Sequence, residues 1–187
     1  TLDGTPADLS GNYNGVQTDV TYPQGYFDLA GSFNGSRIQA NNVTGFPSGN
    51  AARSVSVWVK MEAAPITGAI LMWGTGASNQ AFVLYPNYTE LNIATYGAPV
   101  PTGYNFTLNQ WTHIVVTHDG TTTKVYADNV LVDSFTYTYN TATNSFVIGN
   151  VAWAEEPFQG DLDQVRIFNK ALSASEVTTL YNETPCN

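Results

Sequence analysis

The sequence predicts an all-β protein: a two-sheet antiparallel jelly-roll sandwich closed by one short C-terminal helix. Two observations carry this. Strand-like segments recur about every ten residues, separated by turn formers, while a helix signal is confined to 173–181. Aromatics make up 13% of the chain and charged residues only 11%, in a background rich in Thr, Asn, Gly and Tyr. That is the composition of a rigid β-sandwich and not of a disordered chain. At 187 residues the chain is expected to form a single domain, 1–187, large enough for a two-layer core.

Residues 1–25 are polar and turn-rich, with Asx-type turn formers and glycines through Asp8-Leu9-Ser10-Gly11-Asn12-Tyr13-Asn14-Gly15. A strand over 27–34 runs into the turn Phe33-Asn34-Gly35-Ser36. In 54–61, Val55, Val57, Val59 and Met61 alternate with Ser54, Ser56, Trp58 and Lys60. The first set faces the core, and Trp58 stands on the outer or groove face. Further strands are predicted at 69–73, 81–85, 91–96, 111–118, 123–127, 130–139 and 145–149. Asp128-Asn129 supplies a two-residue turn.

The closing strand puts Val165 and Ile167 on one face. Counting back by two places Asp163 on that same apolar face, where a bare carboxylate would be far too costly. The helix that follows has Ser173 as N-cap, Glu176 completing a capping box, and Leu172 positioned to staple onto Val177.

The net charge of −9, with no cluster of Lys or Arg, argues against nucleic acid and disfavours acidic polysaccharides. The single cysteine, Cys186, excludes an internal disulfide and a Cys-based zinc site. It is free either to pair with a neighbouring segment of a longer protein or to sit inert in the tail. With no signal peptide, apolar spanning run or initiating Met, no membrane insertion is expected, and the chain reads as a mature or excised module.

The run Gly160-Asp161-Leu162-Asp163-Gln164-Val165-Arg166-Ile167-Phe168-Asn169-Lys170-Ala171-Leu172-Ser173-Ala174-Ser175-Glu176 resembles the closing segment of the laminin-G-like, concanavalin-A-like lectin–glucanase jelly rolls. The Asp8–Gly15 opening is similar to theirs. So are the Phe33-Asn34-Gly35 turn, the strand Gln110-Trp111-Thr112-His113-Ile114 and the hairpin Val125-Tyr126-Ala127-Asp128-Asn129, where Asn replaces the usual Gly. The resemblance implies an extracellular or cell-surface module of a larger protein, non-catalytic, that binds a glycan or another cell-surface ligand. A protein-binding or spacer domain is the alternative, and a glycan-active hydrolase or lyase a more distant one. Hydrolases of this fold carry a Glu-x-Asp-x-x-Glu strand, and lyases an Arg, Gln, His and Tyr set. Neither is found in this sequence. His113 and His118 lie five apart on one strand and face opposite sides, so they cannot serve one site. His113 is expected to be structural.

Sugar recognition needs aromatic faces beside amides and carboxylates. Trp73 precedes the loop containing Asn79 and Gln80, Trp153 precedes Glu155, and Tyr96 lies near a strand end. These six are the candidate ligand-binding residues. For metal, the segments 97–105 and 140–145, which correspond to calcium-binding rim loops of the family, hold no Asp or Glu. A structural calcium on Asp163, with Asp8 or Asp28 from the N-terminal arm, is one expectation. Asp163 accepting backbone N–H groups and stapling the arm is the other.

Overall fold

A computed structural model describes residues 2–64 and 68–184; Cys186 lies outside them. The elements in chain order are β1 (Val16–Thr18), β2 (Gly31–Asn34), β3 (Arg37–Asn41), β4 (Arg53–Met61), β5 (Leu71–Gly74), β6 (Ala81–Asn87), β7 (Glu90–Ala94), β8 (Val100–Asn105), β9 (Trp111–His118), β10 (Thr122–Ala127), β11 (Val130–Thr136), β12 (Ser145–Ile148), β13 (Gln159–Phe168) and α1 (Ala174–Tyr181). They form a seven-stranded sheet in the order β1-β3-β12-β5-β6-β7-β8 and a six-stranded sheet in the order β11-β10-β9-β4-β13-β2. Consecutive hairpins give β5 to β8 and β9 to β11. The long connections that bring β12 beside β3, and β13 between β2 and β4, make this the predicted jelly roll.

Between the sheets lies one continuous core. Val55, Val57, Val59 and Met61 of β4 are fully buried with Ile114 of β9, Leu71 and Trp73 of β5, Phe82 and Leu84 of β6, and Leu162 of β13. The alternation read from 54–61 is therefore correct for the inner face. Trp58 stands on the outer face as expected, yet it is only 3% exposed. The reason is tertiary: α1 and the arm around Tyr26 and Phe27 roof this side of the six-stranded sheet. Leu172 and Val177 share a second buried cluster with Val115 and Tyr126. The Ser173–Glu176 capping box is formed in both directions, and Asp128 and Asn129 take the left-handed conformations (φ 47° and 65°) of a tight turn.

Two local readings are corrected. The segment 97–105, expected as a rim loop, becomes the edge strand β8 from Val100 onward. The alternation in the closing strand is broken by a β-bulge. On β4, Trp58 pairs with Asp163 and Ser56 with Arg166, so Gln164 and Val165 together oppose Val57. Gln164 takes φ 48°. Val165 and Ile167 still point between the sheets, though they are half-buried. Asp163 falls on the Trp58 face, opposite to the one that counting by two assigned.

Candidate functional site

Asp163 is nonetheless fully buried, because the arm covers it. Its Oδ2 accepts the Phe27 N–H at 2.9 Å and its Oδ1 the Gln164 N–H at 2.6 Å. One carboxylate thus fixes both the bulge and the arm. Burial pushes its pKa up, although the two N–H donors pull the other way. Gly25 is required here, since a Cβ would stand 2.8 Å from Asp163 Oδ2 and 2.8 Å from the Leu29 carbonyl carbon.

Asp163, Asp8 and Asp28 each take a hydrogen-bonding role of their own. Asp8 Oδ2 is occupied by the Ser10 hydroxyl and the N–H groups of Asn12 and Tyr13. Slight burial works to raise its pKa, but these donors win and hold it below the usual range. Asp28 is exposed at φ 42°, and its backbone carbonyl, accepting from Gly25 N and Gln24 Nε2, closes the arm's turn. Among the described residues no group of three or more His, Cys, Asp or Glu could hold a metal ion. Calcium takes six to eight oxygens, backbone carbonyls among them, and the two Asp163 oxygens already accept the Phe27 and Gln164 N–H groups.

Trp73 is also corrected. Its loop was expected to expose it, but β5 is central in the seven-stranded sheet and Trp73 points inward, fully buried. Its indole donates to Pro47 O at 3.0 Å and stacks on Phe82 at 4.5 Å between ring centroids. The buried Arg53 guanidinium lies 5.7 Å from its ring. Arg53 is held by Gly49 O, Ala51 O and Thr141 Oγ1, and burial lowers its pKa to about 10. None of this surface is open to a ligand.

Asn79 and Gln80 are engaged within their own neighbourhood. Asn79 Nδ2 donates to Thr138 O at 3.4 Å, and Gln80 Oε1 accepts from Thr75 Oγ1 at 3.2 Å. The same loop sends Gly76 against Trp153, whose ring leaves no room for a Cβ (2.9 Å to Cγ).

The remaining three candidates converge on the outer face of the seven-stranded sheet. Trp153, half-buried, packs over Val147, Val151 and Met72 beside Tyr85. Tyr96 stands edge-on to it, with centroids 5.3 Å apart and planes at 89°. Tyr96 keeps 43% of its surface exposed, in the left-handed region at φ 60°. The loop bearing Trp153 and Glu155 is organised by Asn150, which is fully buried. Asn150 Oδ1 accepts the N–H groups of Val151 and Glu156, each at 2.8 Å, and its Nδ2 donates to Glu155 Oε2 at 2.9 Å. Arg37 of β3 reaches Glu155 Oε1 at 3.4 Å. The result is an aromatic corner beside an exposed carboxylate–guanidinium pair. Sequence reasoning missed Arg37 and Asn150, because their strand and loop meet Glu155 only through the β3–β12 pairing and the 149–158 connection.

The histidines are structural. His113 Nε2 bonds Ser56 Oγ at 2.8 Å and its ring stacks on Trp58 at 4.9 Å. Burial, helped by the Arg166 charge, lowers its pKa to about 4. His118 bridges Thr123 and Asn50 on the other side of the sheet.

A cavity of ≈520 Å³ opens elsewhere, between the sheets under the N-terminal arm, with Ile38, Phe46, Phe146, Val165 and Ile167 in its lining. Its lining is mostly apolar, with Asp8, Ser10, Tyr13, Arg166 and Asn169 among it, and none of the six candidate residues lines it. The aromatic corner suits sugar chemistry better.

Comparison with solved structures finds the same fold. The chain is 28% identical, at TM-score 0.80 over 96% of its length and 94% of the other, to domain 4 of AbnA, a GH43 extracellular arabinanase from Geobacillus stearothermophilus, solved in complex with arabinotriose. It is 19% identical (TM-score 0.75; 94% of this chain, 49% of the other) to the binding domain of Paraclostridial Mosquitocidal Protein 1. It is 17% identical (TM-score 0.70; 94% and 30%) to a mutant Trypanosoma rangeli sialidase displaying trans-sialidase activity. The last two share the fold alone, and the chain spans about half and under a third of their lengths. No curated protein is similar enough in sequence to count as a relative. Residues 31–178 match the Laminin_G_3 family, so the chain belongs to the Concanavalin A-like lectin/glucanases superfamily.

Proposed function

We propose that this domain is a non-catalytic carbohydrate-binding module of a larger extracellular or surface protein, and that Tyr96 and Trp153 form its ligand platform. The observation that carries the reading is the Tyr96–Trp153 pair next to the Arg37–Glu155–Asn150 network. An apolar ring face with adjacent fixed donors and acceptors matches the two-sided chemistry of a sugar. The net charge of −9 favours neutral glycans over sulfated or uronate-rich ones. The arabinotriose complex of the 28% identical arabinanase domain supports the same ligand class.

Titration calorimetry with arabinotriose, xylotriose and cellotriose, alongside affinity electrophoresis on the parent polysaccharides, tests this. Binding of at least one is expected, weakened about tenfold or more by Trp153→Ala, the size of an aromatic anchor's contribution. Glu155→Gln should weaken it less. Unchanged binding in Trp153→Ala would move the site elsewhere. Release of reducing ends that survives purification, and is lost in a point variant, would overturn the non-catalytic assignment.

A further inference from the structure

The six-stranded sheet carries a second aromatic assembly on its outer face. Tyr26 lies flat on Trp58, centroids 3.5 Å apart and planes 13° from parallel. Trp111 stands edge-on to Tyr26 at 6.3 Å, and Tyr181 of α1 stacks on Trp58 at 5.8 Å. Trp58 is buried, whereas Tyr26 remains 43% exposed. Anchoring the arm does not need Tyr26, because Phe27 is itself buried and its N–H is held by Asp163. The Tyr26 ring is therefore stacked on Trp58 with Phe27 edge-on at 4.8 Å, and still keeps 43% of its surface exposed.

Polar groups lie on the same side of the sheet. Asp128 is exposed, and its Oδ1 accepts the His113 N–H at 2.8 Å. Asp128 belongs to the same cluster through His113, whose ring stacks on Trp58 at 4.9 Å, and the Tyr26 phenol is pushed up by burial and further by the Tyr181 and Asp128 charges. In the strand register Trp111 sits opposite Lys60, and Lys60 opposite Asp161. Lys60 bonds Asp161 Oδ2 at 2.9 Å, and the buried Asp161 Oδ1 has no partner.

We propose that Tyr26, Trp111, Tyr181 and Asp128 form a second saccharide site, on the face opposite Tyr96 and Trp153. The module is then bivalent, and one copy links two glycan chains. The ligand is a neutral sugar whose apolar ring face stacks on Tyr26 while its hydroxyls bond the Asp128 carboxylate and the phenols. Neutral sugar is favoured because the cations nearest the cluster are already paired among the described residues, Lys60 with Asp161 and Glu62 and Arg166 with Glu183, beside the anionic Asp128. The inference rests on the saccharide reading of the first face, but its test separates the two.

The four tryptophan indole N–H resonances are followed while the domain is titrated with arabinotriose, xylotriose and cellotriose in turn. Trp111 and Trp153 are expected to shift with separate saturation, and Trp73, bonded to Pro47, to stay fixed as the internal control. Tyr26→Ala should abolish the Trp111 response and spare that of Trp153. Asp128→Asn keeps an acceptor for His113 N–H and should weaken the Trp111 response several-fold. If Tyr26→Ala unfolds, Asp128→Asn decides alone. A Trp153 response with Trp111 stationary overturns the second site and leaves the first. A Trp111 response with Trp153 stationary does the reverse. Silence of both with all three sugars overturns both.

Discussion

The two outer faces of the sandwich are finished differently. On the six-stranded sheet, α1 and the Tyr26–Phe27 arm lie over Trp58, His113 and Asp163, so Trp58, which alternation assigns to the outside, is buried. On the seven-stranded sheet a single loop, 149–158, lays Trp153 over the strands and leaves Tyr96 and Glu155 open. The first face is a second core with a rim. The second is a surface with a small packed base. Strand alternation cannot tell them apart, because it reports which side a residue faces and not what lies over that side.

This contrast yields predictions in descending size. Trp73 and Trp153 are both tryptophans beside a loop, yet only Trp73 is in the core. Trp73→Ala should cost about 3–5 kcal/mol through the cavity it leaves. Trp153→Ala should move the thermal midpoint far less while abolishing its share of ligand binding. Chemical denaturation of the two variants measures the gap, and equal losses would erase the distinction between core and platform.

The roofed face should also be the acid-sensitive one. His113 has a folded pKa near 4 against an ordinary value of 6.5. The unfolded chain therefore takes up the proton first as pH falls. Stability from the neutral buried ring is complete above about pH 6.5 and is lost between there and pH 4, in all about 3 kcal/mol. Asp163 works oppositely: its raised pKa makes its contribution greatest at low pH and lessens it as pH rises through the folded value. Midpoints measured from pH 7.5 to 4 should fall for the wild type. His113→Gln should flatten that slope, and an unchanged slope would clear His113 of the role.

Asp163→Ala removes the acceptor for two backbone N–H groups and should cost about 1–3 kcal/mol. That corresponds to a midpoint shift of roughly 3–10 °C for a domain of this length. EDTA and added calcium should leave the wild-type midpoint unmoved, since both Asp163 oxygens already have donors. A calcium-dependent midpoint absent from Asp163→Ala would restore the metal reading. On the open face, Glu155→Ala should cost less than about 1 kcal/mol of stability, the range of an exposed ion pair.

Local chemistry alone determined the all-β class, the inner face of β4, the Asp128-Asn129 turn and the capping box of α1. Each rests on neighbours within a few residues, where period and side-chain reach settle the outcome. It also singled out Tyr96, Trp153 and Glu155, as aromatics or a carboxylate near strand ends and loops. Only the tertiary structure decided that Trp73 is core, since this depends on β5 lying between β12 and β6. Only it brought Arg37 to Glu155 and Tyr26 onto Trp58, pairings that span 118 residues in the first case and cross sheet and arm in the second. The bulge at Gln164 is the sharpest instance. One extra residue reversed the face of Asp163, and the overlying arm then buried it anyway, because a carboxylate's burial follows from what packs over it and not from the parity of its position.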